Sequence, residues 1–348
     1  MVFWLKKSWS LAVGLLIMVI VISSCAGEKN DEANRELESS SSSGERTLTM
    51  PELEPLGLDD RPLQVIATTS IIGDVVAQVG GDEIELLTLI NPGQDPHSFE
   101  PSAGELTAVS KGDVIFVNGW NLEEGLADDL SNIDSETPVI PVGANIDPLE
   151  FAGNRDSDHE DEVARDERSR IDPHTWFAVS NVQQWVRNIT AALSELDPAN
   201  AANYESNGQA YTTVLQELDM TLRRQIENIP VEKRIMITSH NSFGYFAKEY
   251  GFKVVGTIMP TSSTLAEPSA SDLAELIRLM EQEGICTIFT ETTVSDTLPQ
   301  TVAQELSKCE QVKIVSLFSG SIGLPGSGAD SYQGMMEANV ANIVEGLQ

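Results

Sequence analysis

Four histidines occur in 348 residues, and three of them have surroundings that suit metal chemistry. His97 lies in Asn91-Pro-Gly-Gln-Asp-Pro-His-Ser-Phe-Glu-Pro-Ser102, directly after an apolar run that reads as a strand. His174 lies in Asp172-Pro-His-Thr-Trp176, and His240 ends another strand-like run in Thr238-Ser-His-Asn-Ser-Phe-Gly-Tyr245. The first two follow Asp-Pro, and proline lowers the entropy lost when such a loop is ordered. The Asp two residues back can orient the imidazole through its other ring nitrogen. Asp95, Asp172 and Glu100 are therefore candidates for the positions just outside a metal. Imidazole is the commonest biological metal ligand, and three converging in a cleft suit zinc. Spacings of 77 and 66 residues leave a second reading open, three unrelated histidines each satisfied by hydrogen bonds. His159 stands in a charged loop and reads as exposed. No CxxC pair, HExxH helix, GxSxG elbow or glycine-rich phosphate loop occurs.

Composition narrows the partners. With 21 Lys and Arg against 54 Asp and Glu, the formal charge is −33. Nucleic acid is an implausible partner, because phosphate binding needs clustered basic residues. The carboxylates would instead concentrate cations near the surface. At 41% hydrophobic residues the chain can bury a sizeable core.

The histidines must be held by the elements around them, and these begin after a leader. Lys6 and Lys7 precede the apolar run Leu11 to Ile22, short for a membrane span of about 20 residues. It fits a secretory signal peptide over 1–25 whose ending, Ile22-Ser23-Ser24-Cys25, resembles a lipobox, with Cys25 acylated. An uncleaved anchor is the rival reading, and either one ties the chain to a membrane outside the cytoplasm. Residues 26–60, with the Ser39–Ser43 run, read as a disordered acidic tether.

Beyond it, short β-branched runs alternate with amphipathic stretches, which indicates two α/β lobes with parallel sheets, a single large sheet being the alternative. Gln64–Thr69, Glu85–Ile90, Asp113–Asn118 and Pro138–Val142 read as strands of an N-terminal lobe, 61–179, interrupted by an acidic loop at 152–170. A helical region spans 180–230, and its second half, from Pro198 to Asn228, predicts one long helix linking the lobes. Arg234–Thr238, Lys253–Ile258, Cys286–Thr290 and Val312–Leu317 read as strands of a C-terminal lobe, 231–348. Ligands of open parallel sheets bind beyond the carboxyl ends of strands, where His97 and His240 stand. If the last two strands are neighbours, Cys286 and Cys309 fall at one sheet edge, and a disulfide is expected in an oxidising compartment.

The chain resembles the metal-binding receptor lipoproteins of bacterial ABC importers for zinc or manganese. The resemblance runs from Gln64 to Gln348 and rests on Asp95-Pro-His-Ser-Phe-Glu-Pro101, Val117-Asn-Gly119, Asp172-Pro-His-Thr-Trp176 and Asp197-Pro198 with Tyr204. It continues through Ser239-His-Asn-Ser-Phe-Gly-Tyr-Phe246, Tyr250-Gly251, Glu267-Pro-Ser269, Phe289-Thr-Glu291 and Asp330-Ser-Tyr-Gln-Gly-Met-Met336 with Asn339. It implies two small α/β lobes joined by a rigid helix, with His97, His174, His240 and Asp330 holding a metal in the cleft. Asp330 by itself also reads as a helix N-cap ahead of Ser331–Asn339. Further implications are a permease and its ATPase as partners, a lipid-anchored monomer, and binding rather than catalysis. The third ligand in this class is His in many zinc receptors and Glu in many manganese receptors, so His240 points to Zn²⁺, with Mn²⁺ or iron as the alternative. A surface adhesin and a metallohydrolase are the rival readings from other classes. A His-rich loop, frequent in zinc members at 152–170, is lacking here, since only His159 falls there.

Overall fold

The computed structural model describes residues 47–59, 61–126, 137–150 and 171–348. The leader with Cys25, the loop 152–170 with His159 and most of 26–60 lie outside the described residues. From Leu48 onward the chain builds two four-stranded, wholly parallel sheets.

The first sheet has the order β2-β1-β3-β4, from Leu63–Thr69 (β1), Ile84–Ile90 (β2), Val114–Val117 (β3) and Val139–Pro141 (β4). The central β1 is buried almost throughout, whereas edge strand β2 alternates in exposure. A parallel sheet covered on both faces requires that difference. β1 runs straight into helix α1 (Ser70–Gly80), started by the Thr69 hydroxyl accepting from Ile72 N. Helix α2 (Ala103–Val109) opens on a capping box of Ser102 and Glu105.

The second sheet repeats the plan as β6-β5-β7-β8, from Ile235–Thr238 (β5), Lys253–Thr257 (β6), Thr287–Glu291 (β7) and Lys313–Leu317 (β8). Its helices are α5 (Gly244–Tyr250), α6 (Ala270–Glu283), α7 (Thr297–Glu305) and α8 (Tyr332–Leu347). Cys286 and Cys309 stand just before the neighbouring β7 and β8, and they form a disulfide with Cα atoms 5.7 Å apart.

Between the lobes run α3 (Val179–Leu196) and α4 (Ala201–Ile226). Tyr204, Gly208, Tyr211, Leu215, Leu218, Leu222 and Ile226 bury one stripe of α4 at three- and four-residue steps. At 1.5 Å per residue the helix is about 39 Å long. It packs against α1 of the first lobe and α8 of the second, so it spans both. Gly208 permits the crossing with α3, because a Cβ there would lie 2.4 Å from the Thr190 hydroxyl. The helix starts at Ala201 rather than Pro198, since Asp197 gathers Asn200 Nδ2 and the Tyr204 hydroxyl, both at 2.8 Å, in the turn before it.

The expected tether is not disordered over its whole length. Leu53 is buried, Leu48, Met50, Leu56 and Leu58 pack on the core, and Leu56 N donates to Leu196 O at 2.9 Å. Apolar residues every two or three positions give 48–58 enough surface to bury, which the acidic average over 26–60 concealed.

Candidate metal centre

His97, His174 and His240 meet in the cleft between the lobes, each at most 3% exposed. His174 Nε2 lies 3.1 Å from His97 Nε2 and 3.1 Å from His240 Nε2. The edge of a tetrahedron with metal–nitrogen bonds near 2.0–2.1 Å is about 3.3 Å, so one ion fits among these nitrogens.

Different devices place each ring. After β2 the chain turns at Asn91–Gln94, and Asp95 Oδ1 accepts from His97 N at 3.1 Å. Asp172 Oδ1 accepts from His174 N at 2.9 Å in the same Asp-Pro-His turn. His240 follows β5, with its N donating to Glu291 Oε1 at 3.1 Å. β5 and β7 are the strands at which the order of the second sheet reverses, so His240 and Glu291 occupy its switch point.

A carboxylate stands behind every ring. Nδ1 of His97 faces Glu124 at 3.3 Å, that of His174 faces Asp172 at 2.8 Å, and that of His240 faces Glu291 at 2.6 Å. With Nδ1–H donating to its carboxylate, each Nε2 keeps its lone pair for the cleft, a tautomer assigned from this network. Burial, then the neighbouring His240 and His97, hold the His174 imidazole well below its usual pKa, which favours the neutral ligand form. Burial pushes the Asp172 carboxyl well up. Burial would raise Glu291 too, but His240, through its charge when protonated and its hydrogen bonds, and the Ser319 hydroxyl outweigh it and lower the group.

The sequence-derived assignments fare unevenly. The three histidines converge and Asp172 backs its own ring. Asp95 holds a backbone N–H instead of the His97 ring, and its Oδ2 accepts from Ser98 and Thr264 hydroxyls at 3.0 and 2.5 Å. Glu100 is exposed. Asp330 does not reach the cluster: it is exposed, and its Oδ2 accepts from Gly326 N at 2.6 Å, closing its own loop. Nor is it the cap of α8, which is Ser331. Glu124 is absent from the sequence reading, and Glu291 enters it only within the Phe289-Thr-Glu291 match, with no role at the metal.

A family model described as zinc-uptake complex component A, periplasmic, matches residues 65–346. The chain belongs to that family. It is 31% identical over 350 residues to the manganese ABC transporter substrate-binding lipoprotein PsaA of Streptococcus mitis, covering 99% of both chains. It is 32% identical over 290 residues to the manganese-binding lipoprotein MntA of Halalkalibacterium halodurans, covering 83% of this chain and 90% of the relative. The solved periplasmic zinc binding protein TroA from Treponema pallidum matches with a TM-score of 0.73 at 28% identity, over 82% of this chain and 99% of that one. A manganese-bound mutant of a periplasmic metal binding protein from Candidatus Liberibacter asiaticus matches at 0.71 and 29% identity, over 82% and 100% of the two chains.

Proposed function

We propose that this chain is the extracytoplasmic zinc receptor of an ABC-type importer, lipid-anchored through Cys25, with His97, His174 and His240 as metal ligands. The observation that carries the reading is the convergence of three buried Nε2 atoms, each backed by a carboxylate on Nδ1. The metal is cargo, handed to a permease driven by an ATPase subunit. Three nitrogens favour zinc, whereas manganese prefers oxygen donors and higher coordination numbers.

Manganese is the second reading, favoured by the names of the relatives PsaA and MntA. In vitro preference by itself does not separate the two, because zinc outcompetes manganese at most such sites. His240→Glu does: exchanging nitrogen for oxygen is expected to narrow the Zn²⁺ over Mn²⁺ preference in calorimetric competition. An unchanged ratio would remove His240 from the ligand set. No hydrolytic reaction is proposed, since the carboxylates nearest the rings are held behind them and none is placed as a general base.

A further inference from the structure

From the same site we infer that the bound metal keeps one exchangeable coordination position, filled by water or a small monodentate anion rather than by a protein carboxylate. This rests on the three-histidine reading above. Zinc takes four donors, and sites with three protein ligands complete the shell from solvent.

Among the described residues, the group able to share one ion comprises His97, His174 and His240 alone. Every described carboxylate near it has a partner other than that ion. Glu124, Asp172 and Glu291 touch Nδ1, so an imidazole ring separates each from the point where the Nε2 atoms meet. Asp95 is taken up by His97 N and two hydroxyls. Buried Glu123 accepts from the Thr68 hydroxyl at 2.6 Å and from Asn118 N at 2.7 Å. Asp330 closes its own surface loop.

One stretch of the wall also lacks a side chain. Gly320 lies against Pro96, the neighbour of His97, where a Cβ would come 2.6 Å from Pro96 Cδ. Ser319 on one side binds Glu291, and Ser321 on the other accepts from Gly93 N at 3.0 Å. The segment that touches the His97 loop at Pro96 and Gly93 thus offers bare backbone and two committed hydroxyls. Glu124, unlike the fully buried Asp172 and Glu291, is 30% exposed, so solvent comes as close as the carboxylate behind the His97 ring.

An exchangeable donor makes the loaded site responsive to added anions. The test is cobalt(II)-loaded full-length protein, with metal retention followed by equilibrium dialysis, titrated with azide while the visible d–d bands are recorded. A saturable band shift with cobalt retained is the expected result. Retained cobalt with bands that ignore azide would overturn the inference, since a protein group would then fill the shell. Failure of cobalt to bind at all would overturn the metal-receptor reading and this inference with it. Asp330→Ala is the second arm, expected to leave both the bands and the affinity unchanged. A changed spectrum together with a loss of about tenfold or more in affinity would identify Asp330 as the missing donor.

Discussion

Each imidazole of the centre depends on the oxygen behind it. Outer-position partners of metal-bound histidines cost about 10–100-fold in metal affinity when removed. Asp172→Asn and Glu291→Gln are expected to lose that much, measured by competition with a chromophoric chelator. Glu124→Gln should lose less, because its contact is the longest at 3.3 Å and its side chain is partly exposed. Equal losses at all three positions would show that burial does not set their worth. The histidines were legible in the sequence, because Asp-Pro-His and a histidine at a strand end are local signals. Their partners were not. Asp95 and Asp172 occupy identical local motifs, yet only Asp172 turns its oxygen onto the ring. Glu291 reaches His240 across a separation of 51 residues, through a strand pairing that spacing does not encode. Asp330 misled for the same reason, since a carboxylate four residues after Gly326 can close a loop as readily as bind a metal.

The elements carry predictions of their own. Asp113 ties the first lobe together: Arg61 donates to it twice, at 2.5 and 2.7 Å, and Gln64 N donates at 2.8 Å, joining the start of β1 to the start of β3. Burial would raise its pKa, but the Arg61 and Gln64 hydrogen bonds and the Arg61 charge win and lower it below 3.8. A depressed carboxylate contributes stability above its unfolded pKa and loses it as pH falls through the folded value. Asp113→Asn should therefore cost about 1–2 kcal/mol at pH 7, discounted for partial exposure. In urea unfolding, the gap from wild type should close as the pH drops below 3.8. In the second lobe, the Cys286–Cys309 bridge spans 23 residues, and reduction is expected to cost on the order of 3 kcal/mol. Thiol titration of the denatured, unreduced protein checks the bridge, and two reactive thiols would refute it. All eight strands were legible to within a residue or so at each end, because buried parallel strands write continuous apolar runs. The packed segment 48–58 was not, because its leucines sit among acidic residues and prolines that read as a tether.

At the scale of the molecule, the metal centre and the lobe contacts act on the same degree of freedom. Trp176 Nε1 donates to Ser319 O at 3.0 Å, the Tyr332 hydroxyl to Trp176 O at 2.7 Å, and Tyr332 N to Asp74 at 2.9 Å. These bonds tie the α8 end of the second lobe to the first. An ion held by His97, His174 and His240 would add a further cross-link between the two lobes. A ligand that binds only the native state stabilises it by RT ln(1 + [L]/Kd), about 4 kcal/mol at a thousandfold excess over Kd. Calorimetry at pH 7.5 should therefore show zinc raising the unfolding temperature, and a chelator reversing the rise. Protons oppose this binding, because each coordinating imidazole must be neutral and an ordinary imidazole protonates below about pH 6.5. Burial, then the neighbouring His240 and His97, hold His174 well below that value. The zinc-induced shift should accordingly shrink at pH 5. An equal shift at pH 7.5 and pH 5 would mean that the ion is held by groups other than these three histidines.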